Sequence, residues 1–172
     1  YSQGRQYEAL GLDAEALAAH EDAALLARQP HSGFAHIRAV LLKAKAERRQ
    51  AVNDAGRSAA LKSALVQLNA FAAANVDARV RCQAGIEQAR LLLERGGDSR
   101  SLTEALRLLD AQLTAQGQTA EQSAEALYLK AETFSRIGQI QAVLPLYAQV
   151  IRQHPEDGPW ADLAVSRVLD RS

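Results

Sequence analysis

Four histidines are the first residues to weigh for chemistry: His20, His31, His36 and His154. A metal needs ligands converging from one side, which helical residues four apart provide. His31 and His36 are five apart, so they share no helical face well, and the sequence contains no HExxH. His154 precedes Pro155 in what reads as a turn. The histidines are therefore expected to be exposed or capping, with no metal site and no cofactor. Carboxylates are abundant, but they fall on faces that read as solvated, so no acid/base pair stands out. There is no GxSxG nucleophile elbow. The stretch "ERGGDSRS" could offer backbone amides to an anion before a helix, yet it lacks the GK[ST] ending of a phosphate-binding loop and reads as a plain turn. The lone Cys82 excludes an internal disulfide and a cysteine metal cluster; in a helical stretch it reads as a buried thiol. No catalytic set is expected.

One basic run, "RAVLLKAKAERRQ", places Arg38, Lys45 and Arg49 along one helical stripe. A phosphate-binding face would need aromatic residues for stacking and a field to steer the polyanion. The run has no aromatic, Glu47 interrupts it, and the chain carries 20 basic against 20 acidic residues. It reads as a solvated face. Arginine outnumbers lysine 16 to 4, which suits bidentate recognition of anions. The acidic residues interleaved throughout point instead to a coding bias. A nucleic-acid partner would rest on arginine count alone, and none is expected.

The elements that must carry these residues are helices. Good helix formers fill nearly every window, and runs of β-branched and aromatic residues are missing. No apolar run approaches the roughly 18 residues of a membrane span, so no direct span is expected. The 172 residues contain no methionine, which predicts a processed or excised chain, with any targeting segment lost. Periodicity marks about eight helices joined by short loops, hence antiparallel neighbours, in a single domain over residues 1–172. Asp13 and Ser58 are the expected caps, helices are expected to open at Ser32 and to begin at Asp77, and Ser101 with Glu104 reads as a capping box. Breaks are expected near Asn75, at Gly96 and Gly97, at Gly138 and at Pro155. Pro145 lies inside "GQIQAVLPLYAQVIRQHP"; a late helix start or a bend is expected there, rather than a loop.

From Ala124 to Asp157 the helices form a unit. The first carries Leu127, Ala131 and Phe134, a turn follows at Gly138, and the second carries Val143, Tyr147 and Val150 before the closing Pro155. A small residue where helices cross, large ones a turn away and a closing proline over 34 residues resemble a tetratricopeptide repeat. "YAQVIRQHPEDGPWADLA" is similar to repeats of bacterial envelope proteins, of the outer-membrane assembly lipoprotein and Tol–Pal coordinator types. Upstream the likeness thins: Ala89, Leu92, Ala105 and Leu109 fit, "GDSRS" lengthens a turn, and residues 33–75 fit only as two amphipathic helices. "YSQGRQYEALG" reads as the tail of a repeat helix, so the chain is expected to begin inside a repeat. Self-association through the N-terminal helices is then expected.

The resemblance implies an all-α, right-handed helical-repeat solenoid whose first helices line a concave, partner-binding side. On that face helical spacing places Glu125, Tyr128, Glu132 and Ser135, with Gln83, Ile86 and Arg90 on the preceding first helix. An exposed tyrosine between two glutamates would suit a basic, partly apolar segment of another protein or peptide. Relatives that clamp C-terminal carboxylates use lysine and asparagine there, and neither occurs among these residues. The expected function is a non-catalytic protein–protein interaction scaffold, in the bacterial periplasm or at the outer membrane, with a cytoplasmic assembly as the alternative compartment. The competing function is the helical, non-catalytic part of a larger enzyme or transcriptional regulator.

Overall fold

The computed structural model describes residues 2–26, 30–95, 98–156 and 158–170. Among the described residues 85% are helical, and none is in a strand. The helices are α1 (Ser2–Ala9), α2 (Asp13–Leu26), α3 (His31–Gln50), α4 (Asp54–Ala74), α5 (Ala78–Glu94), α6 (Ser99–Thr114), α7 (Ala120–Ile137), α8 (Ile140–Gln153) and α9 (Trp160–Leu169). The N-terminal segment is thus a ninth helix among the described residues. Contacts gather into two compact units, Tyr1–Ala84 and Gly85–Ser172. The division falls inside α5 and not at a linker, as happens when helices pack mainly on sequence neighbours. No described helix is long and apolar enough to cross a membrane.

In the first unit α2 packs on α1 and α3, and α3 on α4. Small residues set the spacing. Ala16, Ala35 and Ala64 are sealed from solvent, with Ile37 and Leu68 filling the space between helices. His20, expected at the surface, is wholly buried. Its Nε2 lies 2.6 Å from Glu8 Oε1, and Arg38 Nη2 lies 3.1 Å from the other Glu8 oxygen. Gly4 makes room for the ring, because a Cβ there would stand 2.7 Å from it. The histidine ties α1 to α2, and periodicity missed it because an imidazole bonded to a carboxylate is buried at reduced cost. His36 is half-buried and stacks on Phe71, with ring centroids 4.3 Å apart.

Burial holds the His20 pKa below its ordinary value of 6.5, and the hydrogen bond to Glu8 only partly offsets this. The folded chain therefore prefers neutral His20. That preference is fully present above the unfolded pKa near 6.5 and is lost as pH falls from there toward the depressed folded value. His36 is shifted in the same direction by burial. The denaturant midpoint is expected to fall between pH 7 and pH 5, with a smaller fall in His20→Asn. Equal pH slopes in the two proteins would remove His20 as the cause.

The basic stripe is not free. Arg38 reaches Glu8, while Lys45 Nζ (2.8 Å) and Arg49 both bond Asp13. The Lys45 hydrogen bond, with the charges of both bases, lowers the Asp13 pKa. Asp13 is therefore the first residue of α2 engaged in a tertiary contact, with Leu12 before it accepting the first helical bond from Ala16. Other caps shift too. Pro30, not Ser32, precedes α3, and Asn53 caps α4 through a bond from the Gly56 amide, five residues before the expected cap Ser58. Asp98 caps α6 by accepting from the Ser101 amide, so Ser101 is a partner of the cap and Glu104 pairs with Arg107. Asp77 does cap α5 through Arg79 and Val80, and Asn75 does end α4. Among the described residues the capping box is Thr119 with Gln122, at the start of α7. The expected break at Gly96 and Gly97 and the repeat's last residue Asp157 lie outside the described residues.

In the second unit α7 packs on α6 and α8 and also touches α9, and Arg136 on α7 donates to the Leu93 carbonyl of α5. Gly138 closes α7 in the left-handed region at φ +85°, which glycine adopts without a Cβ penalty. The helix α8 begins at Ile140 and runs unbroken through Pro145, which is exposed as its sixth residue. The bond lost is that to the Gln141 carbonyl. The buried row Val143, Tyr147 and Val150 lies on the far side from the proline's exposed flank and holds the helix in place.

Candidate functional site

The expected binding face is assembled in the second unit, but not as a free surface. Helix α7 is buried almost all round: Gln122, the run Ala124–Leu129, Ala131 and Thr133 are all enclosed. Consequently Glu125 (6% exposed) and Tyr128 (8% exposed) are interior residues, and Ile86 on α5 is sealed completely. The expectation of an exposed tyrosine is corrected. Periodicity assigns a helix one packing face, whereas α7 has neighbours on several sides. Glu132, Ser135 and Arg90 are half-buried. Gln83, also half-buried, belongs to the first unit and is not among the residues gathered here.

What the helices bring together is a continuous aromatic and charged cluster. Arg90 on α5 donates through Nη2 to Glu125 Oε1 on α7, and its Nε lies 3.6 Å from Glu87 Oε2 one turn back. The Arg90 guanidinium sits over the Trp160 ring, 5.8 Å from its centroid, a cation–π geometry. Tyr128 lies between two rings, 5.6 Å from Trp160 on α9 and 5.7 Å from Tyr147 on α8. The Tyr147 hydroxyl donates to Glu132 Oε1. The same oxygen is 3.3 Å from Arg167 Nε on α9. Tyr128 foremost, then the Glu132 charge, raise the Arg167 pKa, so its guanidinium is firmly cationic.

Each helix supplies residues at spacings that keep them on one side. Glu87 and Arg90 are three apart on α5, Glu125, Tyr128 and Glu132 follow at three and four on α7, and Trp160 and Arg167 are seven apart on α9. Glu87, Tyr147, Trp160 and Arg167 were not among the residues read from the sequence as site candidates. The seven-residue spacing of the tryptophan and arginine was the available signal. It was hidden because α9 reads only as the start of a further helix pair.

Chemically the cluster is a set of ion pairs and ring contacts, in which each carboxylate already faces a guanidinium or a phenol. Glu87 and Glu125 are desolvated and so interact strongly with Arg90. No group of three or more histidine, cysteine, aspartate or glutamate residues among the described residues could hold a metal ion. No protein-family model matches the chain, and neither a curated protein nor a solved structure matches it.

Proposed function

We propose that this chain is a non-catalytic protein–protein interaction scaffold, built as a tetratricopeptide-like stack of antiparallel helix pairs. A single observation carries the reading: α5, α7 and α9 present their charged and aromatic residues to one shared cluster, while α8 supplies packing residues and one hydroxyl. First helices that share a functional side are what the 34-residue unit from Ala124 to Asp157 implies. The half-exposed members, Glu132, Arg90 and Arg167, form the accessible rim through which a partner segment docks. The partner is a basic, partly apolar segment whose cation meets Glu132, the carboxylate of the rim. The likeness of "QHPEDGPWADLA" to envelope repeats supports a bacterial periplasmic or outer-membrane assembly as the setting.

The test is capture by the whole chain from an envelope extract, comparing wild type with Glu132→Lys and with Gln141→Lys, a charge change on the exposed start of α8. A partner retained by wild type and Gln141→Lys, and lost at least tenfold in Glu132→Lys, is the expected result. A partner bound equally by all three proteins would place the docking face elsewhere.

A further inference from the structure

Helix α1 has little apolar hold on the fold. Its eight residues, SQGRQYEA, include no leucine, isoleucine or valine. Only Gly4 among them is enclosed, while Tyr7 and Glu8 are half-buried. A short turn at residues 10–12, with Gly11 at φ +72°, brings α1 onto α2. There Gly4 and Glu8, four apart and so on one face, both meet the buried His20 ring. A Cβ at Gly4 would stand 2.7 Å from the ring atoms Cε1 and Nε2. Glu8 Oε1 lies 2.6 Å from Nε2. The cover over the imidazole and the anchor of α1 are therefore the same contact.

That contact is sensitive to a proton. Facing the ring are Glu8 from α1 and Arg38 from α3, the two helices packed on α2, and the chain's amino group adds positive charge. On α2 itself the neighbouring Glu21 and Asp22 are exposed. Burial opposes a charged ring most strongly, and Arg38 opposes it too. Glu8 favours it, but its second oxygen is shared with Arg38 Nη2 at 3.1 Å.

We infer that α1 is a pH-released arm, docked on α2 while His20 is neutral and undocking ahead of the rest of the first unit as the imidazole takes up a proton. Undocking returns the ring to water and to its ordinary pKa of 6.5, above its docked value. Docking is therefore complete above pH 6.5 and weakens as pH falls below it. One titrating group sets a ceiling: at pH 5.5 the open fraction rises by no more than about elevenfold. Once released, so short a segment does not persist as a helix in water, and its amides exchange. The device lies within the first unit and does not depend on the scaffold reading.

Amide hydrogen exchange of the whole chain at pH 7.5 and pH 5.5, corrected for the intrinsic pH dependence of exchange, tests this. At both pH values α1 is expected to exchange at least tenfold faster than α3. Equal protection would mean that α1 opens only with global unfolding, and overturns the inference. Protection of α1 is expected to fall by at least about twofold between the two pH values, within the elevenfold ceiling. No fall overturns it. His20→Asn removes the sensor, so an acid fall as large as in wild type overturns it as well. Gly4→Ala should expose α1 at least tenfold at pH 7.5 while α3 stays protected, and wild-type protection of α1 in that variant overturns the shared contact. Should His20→Asn leave α1 open at both pH values, Arg38→Gln decides. It keeps the ring and Glu8 and removes a positive charge facing them, so the acid fall is expected to shrink; an equal or larger fall overturns the inference.

Discussion

Tyr147→Ala is expected to remove about 3–5 kcal/mol of stability, the usual cost of deleting a large buried aromatic group. Tyr147 is the largest fully buried side chain among the described residues. Its ring contacts Tyr128 and its hydroxyl serves Glu132, so the substitution both opens a cavity and leaves a carboxylate short of a donor. For a chain of this length the loss corresponds to roughly 10 °C in the melting midpoint. Tyr147→Phe keeps the ring and should lose only about 1 kcal/mol, the net worth of one hydrogen bond. Circular dichroism melts of the three proteins separate the two contributions. A Tyr147→Ala midpoint within about 2 °C of wild type would mean that α8 does not seal this core.

Arg90→Leu is expected to cost about 2–4 kcal/mol, because it takes the guanidinium away from two carboxylates that are only 3% and 6% exposed, Glu87 and Glu125. The Arg90 side chain is itself 34% exposed, so entering water moderates the loss. Removing the charge on both sides, in Arg90→Leu with Glu125→Leu, should recover part of it, since an apolar pair of similar volume often replaces a buried ion pair at little cost. Urea unfolding of the wild type, the two single variants and the double variant yields the coupling directly, expected at about 1 kcal/mol or more. Additive effects would show that the two residues do not depend on each other.

Several features of this arrangement were legible from residue types alone. The breaks at Asn75 and Gly138, the helix start at Asp77 and the helical class follow from local backbone chemistry. A glycine free to take positive φ, or a carboxylate that satisfies the first amides of a helix, acts within four residues. Two of the capping assignments failed where a second competent residue stood a few positions earlier. Asn53 precedes Ser58 and Asp98 precedes Ser101, and the earlier residue wins because starting sooner adds helical hydrogen bonds. At Pro145 only the absence of a loop was legible: α8 starts at Ile140 and not late, and the helix persists because one lost bond near its start is outweighed by the buried row Val143, Tyr147 and Val150.

The charged residues were legible only as residues. Arg38, Lys45 and Arg49 stand on one stripe by spacing, but which carboxylates meet them depends on α1 and α2 folding back across α3. His20 reads as a surface histidine until Glu8 is placed 2.6 Å away and Gly4 clears the space above its ring. The candidate site shows the same division. Local sequence determined that Glu125, Tyr128 and Glu132 share a face of α7, since a period of 3.6 residues fixes that whatever surrounds the helix. Only the tertiary structure decided that Arg90, Tyr147, Trp160 and Arg167 close over this face. Those contacts join residues 15 to 39 positions apart in the chain, and whether a face is met by water or by another helix is set by chain folding, on which local spacing has no bearing.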